Sequence, residues 1–577
     1  MVYAAAYVGM VCPAAGERAA DVRAAPNESW VAAPSGAAYA EEWVMSRSLA
    51  IAFICSLGLA AFSAGCSKED EGPGGTNGMA GTSGGATNPQ AGAGAGANGG
   101  TSGAGAVGGD SGAGGTPTGG GGGTVSGGAG GMTGGAGGTT GGAGGSGGTP
   151  GGGNQWTHLG YDQSNTYFNP SETTITVENA PMLVEKWSFP TAQAPHGGVT
   201  IAEGKVFAAT LGGTYAINLG DGMMVWHKPE LVSDGTAVYA DGAIYVHTQG
   251  AILHKVNAAD GAPVWTSEKT YDLAGCDGTS SPVVAGGKVL VGHSCGPNEV
   301  SVGANAMNYG GVEAFDVESG ERAWSYNTCE GTEDGAMVWS TVTVDVQAGV
   351  VFAATGNNYS VGGMNSDSIH AIGLDDGVRV WRRQVRTGDT WGILGGGGLD
   401  TDFGANPILT TIGDRQIVAA GDKGSAFWAL DRMTGEIIWD VPDLSAAHTA
   451  QNGGVLNNGA TDGERFYVSA NEPPGAMKLH ALNVADGTPA WSKDFPKVTW
   501  GMPSVANGVL FVPVNDTLKV FNAATGEELN SFETGGSMAA GAPAIAEGMV
   551  VVKSGMQYVF GGADAILNTQ VRAYGLP

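Results

Sequence analysis

Thr214-Tyr215-Ala216-Ile217-Asn218-Leu219-Gly220-Asp221-Gly222-Met223-Met224-Val225-Trp226 is the stretch that opens the chain to reading. An apolar run meets Asn, then Asp-Gly, then a short run ending in Trp. The phrase returns as HKVNAADGAPVW (254–265), EAFDVESGERAW (313–324), HAIGLDDGVRVW (370–381), WALDRMTGEIIW (428–439) and HALNVADGTPAW (480–491). A seventh copy, KVFNAATGEELN (519–530), carries Asn530 at the place of the Trp. Each phrase reads as two short antiparallel strands around a tight turn that needs Gly at positive φ.

Working outward, most copies are preceded by a second alternating pair: VTIAEGKVFAAT (199–210), AVYADGAIYVHT (237–248), SPVVAGGKVLVG (281–292) and PSVANGVLFVPV (503–514). Four strands per unit make a propeller blade, and so regular a Trp packs between blades. At the ends, Glu185–Phe189 around Trp187 reads as a lone fourth strand, while 542–548, 549–555 and 571–576 supply three strands lacking a fourth. Joining them closes the ring and removes its free edges. The expectation is an all-β fold, an eight-bladed β-propeller over 154–577.

Upstream of the repeats the composition changes. Of 577 residues 104 are Gly, densest between Gly72 and Gly153, where almost nothing apolar is available to offset chain entropy. Residues 67–153 are therefore expected to be a disordered Gly-rich linker, with an r.m.s. reach of about 50 Å. Residues 45–66, MSRSLAIAFICSLGLAAFSAGC, have a basic start, a short apolar run and a terminal Cys. They read as a signal peptide that resembles a bacterial lipobox, with Cys66 as the lipid attachment site and Ser63 standing where the pattern usually has Leu. Residues 1–44 read as a mis-assigned upstream extension, with Met45 as the start. The expected location is outside the cytoplasm: outer membrane or cell surface through a lipid anchor, or periplasm.

A formal net charge of −29 with no basic run excludes nucleic acid as a partner and opposes anionic lipid surfaces. No C-x-x-C-H motif is present for covalent haem. Beyond the signal segment Cys276, Cys295 and Cys329 remain; an oxidising compartment permits one disulfide among them, and the sequence leaves the pairing open.

The lead-in WTHLGYDQSNTYFNPSETTITVENAPMLVEKWSF (156–189) is not explained by the blade repeat. Together with VWSTVTVDVQAGVVFAATGNNYS (338–360), SDSIHAI (366–372), GDTW (388–391), DTDFGANP (400–407) and Lys423-Gly424, it resembles the pyrroloquinoline-quinone (PQQ) dehydrogenases, most of all their polyvinyl-alcohol-dehydrogenase-like branch. The resemblance implies an alcohol-oxidising quinoprotein using PQQ and Ca²⁺. In it Trp339 stacks under the quinone, Lys423 hydrogen-bonds the quinone oxygens, and Asn357 with Glu299 binds the metal. Strand order sends all of these to one end of the channel, since loops before first strands and after second strands open on the same face.

Two departures stand against the match. The family's catalytic Asp should follow Trp391, where this chain has Gly392; Asp389, Asp400 and Asp402 in the same loop are the alternative bases. The loop expected to hold a cofactor-binding Arg reads Val232-Ser233-Asp234-Gly235. Three readings stay open: a dehydrogenase acting on a small or polymeric alcohol and passing electrons to a separate cytochrome; a non-catalytic propeller lipoprotein that binds protein or serves outer-membrane assembly; and a quinoprotein scaffold that has lost its cofactor.

Overall fold

The computed structural model describes residues 154–577 apart from 194–196, 272–275, 278–279, 296–308, 330–334, 359–362, 392–398, 447–452, 458, 473–474, 539–540 and 556–568. Cys66, the signal segment, the Gly-rich block, Glu299 and Gly392 thus lie outside the described residues. Eight antiparallel sheets follow one another along the chain, seven of four strands and the third with a short extra strand, Cys276–Asp277. That strand sets the backbone of Cys276 opposite Cys295. Each first strand touches that of the next sheet, and that of blade 8 touches that of blade 1, so the ring closes. Blade 8 is the split one: Val184–Pro190 pairs with Gln570–Gly575, outside Ala544–Ala546 and Met549–Ser554.

The Trp repeat explains how blades attach. Trp187 donates its indole N–H to Leu219 O of the next blade, and Trp226, Trp265, Trp324, Trp381, Trp439 and Trp491 do the same to Ala258, Val317, Leu374, Arg432, Val484 and Ala523. The ring of each lies flat on the turn Gly of the following blade, at Gly222, Gly261, Gly320, Gly377, Gly435, Gly487 and Gly526. A Cβ there would meet indole carbons at 2.6–3.1 Å, and φ is near +70° at all seven. Both facts demand Gly. Where blade 7 meets blade 8 there is no such turn, because the outer strand of blade 8 comes from the other end of the chain. The three-residue 3₁₀ segment Ala180–Met182 stands there instead, and Asn530 Nδ2 donates to Ala180 O, Pro181 O and Leu183 O. The break in the repeat is thus the ring closure itself.

The lead-in seals one end of the channel by bonding to the first strand of every blade in order. Trp156 exchanges backbone hydrogen bonds with Ile201 of blade 1; Thr157 O accepts from Tyr239 of blade 2; His158 Nε2 accepts from Val284 of blade 3. Gln163 O, Ser164 O and Thr166 O accept from Val344, Leu409 and Thr461 of blades 4 to 6. Tyr167 and Asn169 bond Val505 of blade 7, and Asn169 Nδ2 reaches Ile545 O of blade 8 at 2.7 Å. Making eight contacts in so few residues bends the backbone: Tyr161, Asn165 and Tyr167 all have positive φ, a conformation that surrounding contacts must hold.

Asn165 is the centre of this floor. It is fully buried, and its Nδ2 donates to Val342 O (3.1 Å) and Thr343 Oγ1 (2.7 Å). Asn165→Ala removes both bonds and places a less tolerant residue at φ 51°. It should lower stability by about 1–3 kcal/mol, read as a reduced denaturant midpoint with an unchanged slope.

Candidate functional site

At the opposite end from the lead-in, five segments of blades 4 and 5 converge. Trp339 precedes the first strand of blade 4, Thr343–Asp345; Asn357 follows the second, Val350–Ala354; Asp367 precedes the third, Ser368–Gly373. Asp389, Asp400 and Asp402 lie between the outer strand of blade 4, Arg379–Gln384, and the first strand of blade 5, Ile408–Ile412. Lys423 follows the second strand of blade 5, Arg415–Gly421.

The half-buried Trp339 indole runs between two glycines: a Cβ on Gly404 would lie 2.6 Å from Cη2, and one on Gly356 3.1 Å from Nε1. Lys423 Nζ stands over the ring, 5.3 Å from its centroid. The ammonium donates to Asp400 Oδ1 and Asp402 Oδ2, each at 2.9 Å. An ammonium carries three protons, so one is left for a further acceptor. The backbone that aims Lys423 is itself clamped. Asp422 accepts from Arg386 Nε (2.7 Å) and Nη2 (3.2 Å), from Trp428 Nε1 (2.8 Å) and from the Ala426 N–H (3.0 Å).

The acids are distinguished by what their oxygens already hold. Asp402 Oδ1 accepts the Asn357 N–H at 2.5 Å, and its Oδ2 faces Lys423. Asp389 accepts the Trp391 N–H at Oδ1 and both the N–H and the hydroxyl of Thr401 at Oδ2. Asp400 Oδ2, by contrast, is buried with no hydrogen-bond partner among the described residues. Asn357 turns its side-chain amide to Asn358 O and Trp391 O.

Asp367, inside the SDSIHAI stretch but given no site role from the sequence, completes the cluster. It is fully buried, its Oδ1 lies 2.9 Å from Thr401 Oγ1, and its Oδ2 has no partner among the described residues. Oxygens of Asp367, Asp389 and Asp402 lie within 4.8 Å of one another. Hard oxygen donors so placed suit a hard cation. Thr401 has one hydroxyl proton for two facing carboxylates, so without a cation one carboxyl must carry a proton. The electrostatics identify it: burial, then Asp389 and Asp402, push Asp367 up to about 8. Burial and Asp402 also raise Asp389. Burial raises Asp400 to about 7 against the pull of Lys423. For Lys423, burial acts downward, but Asp400 and Asp402 outweigh it and the net shift is upward.

Beside this cluster an open cavity of about 290 Å³ is lined by Arg386, Thr387, Gly388, Asp389, Leu399 and Thr401. Around the ring Lys553, near the end of the second strand of blade 8, is also buried, with Nζ donating to Ala209 O at 2.6 Å.

Two outcomes follow from these charges. Lys423→Met strips the cation from two buried carboxylates and should cost about 3–5 kcal/mol, with Asp400→Asn in the same chain recovering part of it in chemical denaturation. Burial lowers Lys553 from 10.5 to about 7, opposed by Asp234. The penalty for charging it in the fold is therefore full below about pH 7 and is relieved as pH climbs from 7 toward 10.5. Lys553→Met should stabilise the protein at pH 6, and thermal melts should show that advantage shrinking by pH 10.

Comparison with known proteins bears on the same region. Residues 274–459, which span the whole cluster, match the family model described as glucose/ethanol/alcohol dehydrogenase, beta-propeller domain; residues 475–568 match one described as outer membrane protein assembly factor BamB. A polyvinylalcohol dehydrogenase from Pseudomonas sp is 26% identical over 474 residues, covering 70% of this chain and 73% of the relative. BamB of Yersinia pestis is 27% identical over 299 residues, covering 50% of this chain and 62% of its own. The crystal structure of quinohemoprotein alcohol dehydrogenase from Comamonas testosteroni shares the fold with a TM-score of 0.61 at 20% identity, covering 73% of this chain and 80% of that one. The chain carries a PQQ-type propeller domain, similar in sequence to polyvinylalcohol dehydrogenases and in fold to quinohemoprotein alcohol dehydrogenases.

Proposed function

We propose that this protein is an exported, PQQ-dependent dehydrogenase that oxidises alcohol groups, those of a polymer such as polyvinyl alcohol included. The observation that carries the reading is the meeting, in one buried site, of a flat indole, a lysine with a proton to spare, and a carboxylate with an open oxygen.

The residues fit the cofactor. The backbones of Gly356 and Gly404 abut the Trp339 indole at Nε1 and Cη2, where any side chain would collide with it, and the half-buried ring they hold would offer a planar surface to a planar quinone. Lys423 supplies a charge-assisted donor to a quinone oxygen. A calcium-type cation would be held by Asp367, Asp389 and Asp402, with Asn357 alongside; Glu299, to which the resemblance gives the same role, lies outside the described residues. When bound, the quinone accepts the two electrons released by the alcohol. The chain's own part is to orient the substrate and take its hydroxyl proton. Asp400 is the residue suited to receive it, because Oδ2 is unengaged and its pKa, raised to about 7, lies close to neutral pH. Lys423, bonded to Oδ1, fixes the carboxyl and balances its charge. Asp402 and Asp389 have both oxygens committed, so they hold the site rather than move the proton.

The alternative, a non-catalytic scaffold of the outer-membrane assembly kind, draws on the BamB family model over 475–568, which contains none of the cluster, and on the 27% identity to BamB of Yersinia pestis over 299 residues.

Titration of the full chain with PQQ, with and without Ca²⁺, should quench tryptophan fluorescence saturably and only with the cation, and Trp339→Ala should abolish the response. In the loaded enzyme Asp400→Asn should lower dye-linked alcohol oxidation by a factor on the order of 10²–10⁴ while leaving quinone affinity unchanged. Absence of quenching at micromolar quinone would overturn the proposal.

A further inference from the structure

The short extra strand of blade 3 belongs to the connection between the outer strand of blade 2, Pro263–Lys269, and the first strand of blade 3, Val283–Ala285. It pairs antiparallel with the end of the second strand, Lys288–Cys295, with Cys276 opposite Cys295 and Asp277 opposite Ser294. Residues facing each other across an antiparallel pair lie on one side of the sheet, with Cα atoms about 4.5–5.5 Å apart. That falls within the roughly 4.4–6.8 Å over which a disulfide closes. The same register excludes Cys329. Cys295 faces Tyr309 of the third strand, and beyond that strand the outer one ends at Asn327, with the Thr328 N–H donating to Gly310 O. Cys329 thus stands at least two strand spacings, about 10 Å, from Cys295 and a further spacing from Cys276. Its thiol donates to Gly335 O at 3.1 Å.

The strand end that carries Cys295 is also what the segment before Trp339 rests on. His293 O accepts the Val338 N–H at 3.2 Å, and Ser294 Oγ donates to Met337 Sδ at 2.8 Å. Gly292 approaches the same stretch so closely that a Cβ on it would lie 2.5 Å from Val338 O. The three residues leading to Cys295 therefore touch the two leading to Trp339. His293 adds a chemical element. It is buried against the Tyr271 ring, centroids 4.6 Å apart, and neither ring nitrogen has a hydrogen-bond partner among the described residues, the nearest acid being Glu313 with Oε1 3.5 Å from Nδ1. Two residues apart on a strand, His293 and Cys295 share a face. An imidazole on that face can take the proton that a thiol sheds before it attacks a disulfide.

We propose that Cys276 and Cys295 form a cross-strand disulfide, which staples the connection between blades 2 and 3 onto blade 3 and so braces the strand end that supports Trp339. In forming it the two thiols lose two protons and two electrons as the S–S bond is made. A disulfide-bearing oxidant receives them and leaves as two thiols. The link closes a loop of about 20 residues and holds by a covalent bond a strand too short to persist on its ladder alone. Its oxidant in the cell rests on the exported reading; the pairing itself rests on the register.

The test takes the full chain in reduced form, exposes it to oxidised glutathione, blocks remaining thiols and digests it with trypsin, which cuts at Lys288 between the two cysteines. Mass spectrometry should find 270–288 joined to 289–322, with Cys329 in neither linked peptide. Amide exchange then reports on the brace. Over 337–341 it should run about threefold or more faster in the reduced chain than in the oxidised one, while 509–514 in blade 7 exchanges equally in both. Cys276→Ser should behave as the reduced chain under either condition, and comparing two redox states of the unmutated protein covers the case in which that variant folds poorly. Blocked thiols at both positions after oxidation, or a link to Cys329, would overturn the pairing; equal exchange over 337–341 would overturn the brace. Because glutathione supplies the oxidant and no quinone is present, failure of the exported dehydrogenase reading would leave these results standing.

Discussion

A tryptophan lying on the glycine turn of the next blade is the contact on which this molecule is built. It joins neighbours through one hydrogen bond and one flat apolar face, and it occurs seven times. Neither half works alone. The indole N–H would be a buried, unsatisfied donor without the carbonyl it reaches, and the ring could not approach without a residue that lacks Cβ. The eighth junction shows the same need met by other means, with Asn530 satisfying the carbonyls of a 3₁₀ turn. Blade order, and with it the juxtaposition of blades 4 and 5, follows from this series of docks.

The site uses that rigidity to hold charges that would not otherwise stay together. Four aspartates and one lysine share a region where none is more than about 4% exposed. Burying charge is costly unless it is paired, and here the pairing is incomplete: two carboxylate oxygens lack partners among the described residues. The fold tolerates this because the backbone around Lys423 is fixed by Asp422 and Arg386, and because Thr401 ties Asp367 to Asp389. Unsatisfied carboxylate oxygens in a rigid frame are poised to receive a proton, a cation or a substrate hydroxyl.

Much of the architecture was legible in the sequence because it is written in repetition. The Asp-Gly and Thr-Gly turns, the Trp positions and the orphan strand around Trp187 all have local signatures, so the split blade 8 could be read from the amino acids alone. The site was legible only where a family likeness marked it. Trp339, Asn357, Lys423, Asp389, Asp400 and Asp402 meet in space, but which carboxylate keeps an open oxygen depends on hydrogen bonds between segments distant in sequence. Asp367 lies in the SDSIHAI stretch, but that stretch assigns it no role: Ser-Asp-Ser before a strand reads as a turn, and its left-handed backbone (φ 47°) turns it into the cluster. The channel floor was likewise hidden, since its bonds join residues 156–169 to partners as far away as Ile545.

Closing blade 8 with strands from both ends of the folded region sets a condition on how the molecule is made. Val184–Pro190 is among the first strands to emerge and its partner, Gln570–Gly575, among the last. Until then the early strand presents an unpaired edge, the kind of surface that invites association with other chains. The lead-in shares the delay, because its final contact lies in blade 8. Topology of this kind belongs to slow folding dominated by distant contacts. The acidic site, framed by blades 4 and 5 in mid-chain, can take shape well before the ring that contains it is complete.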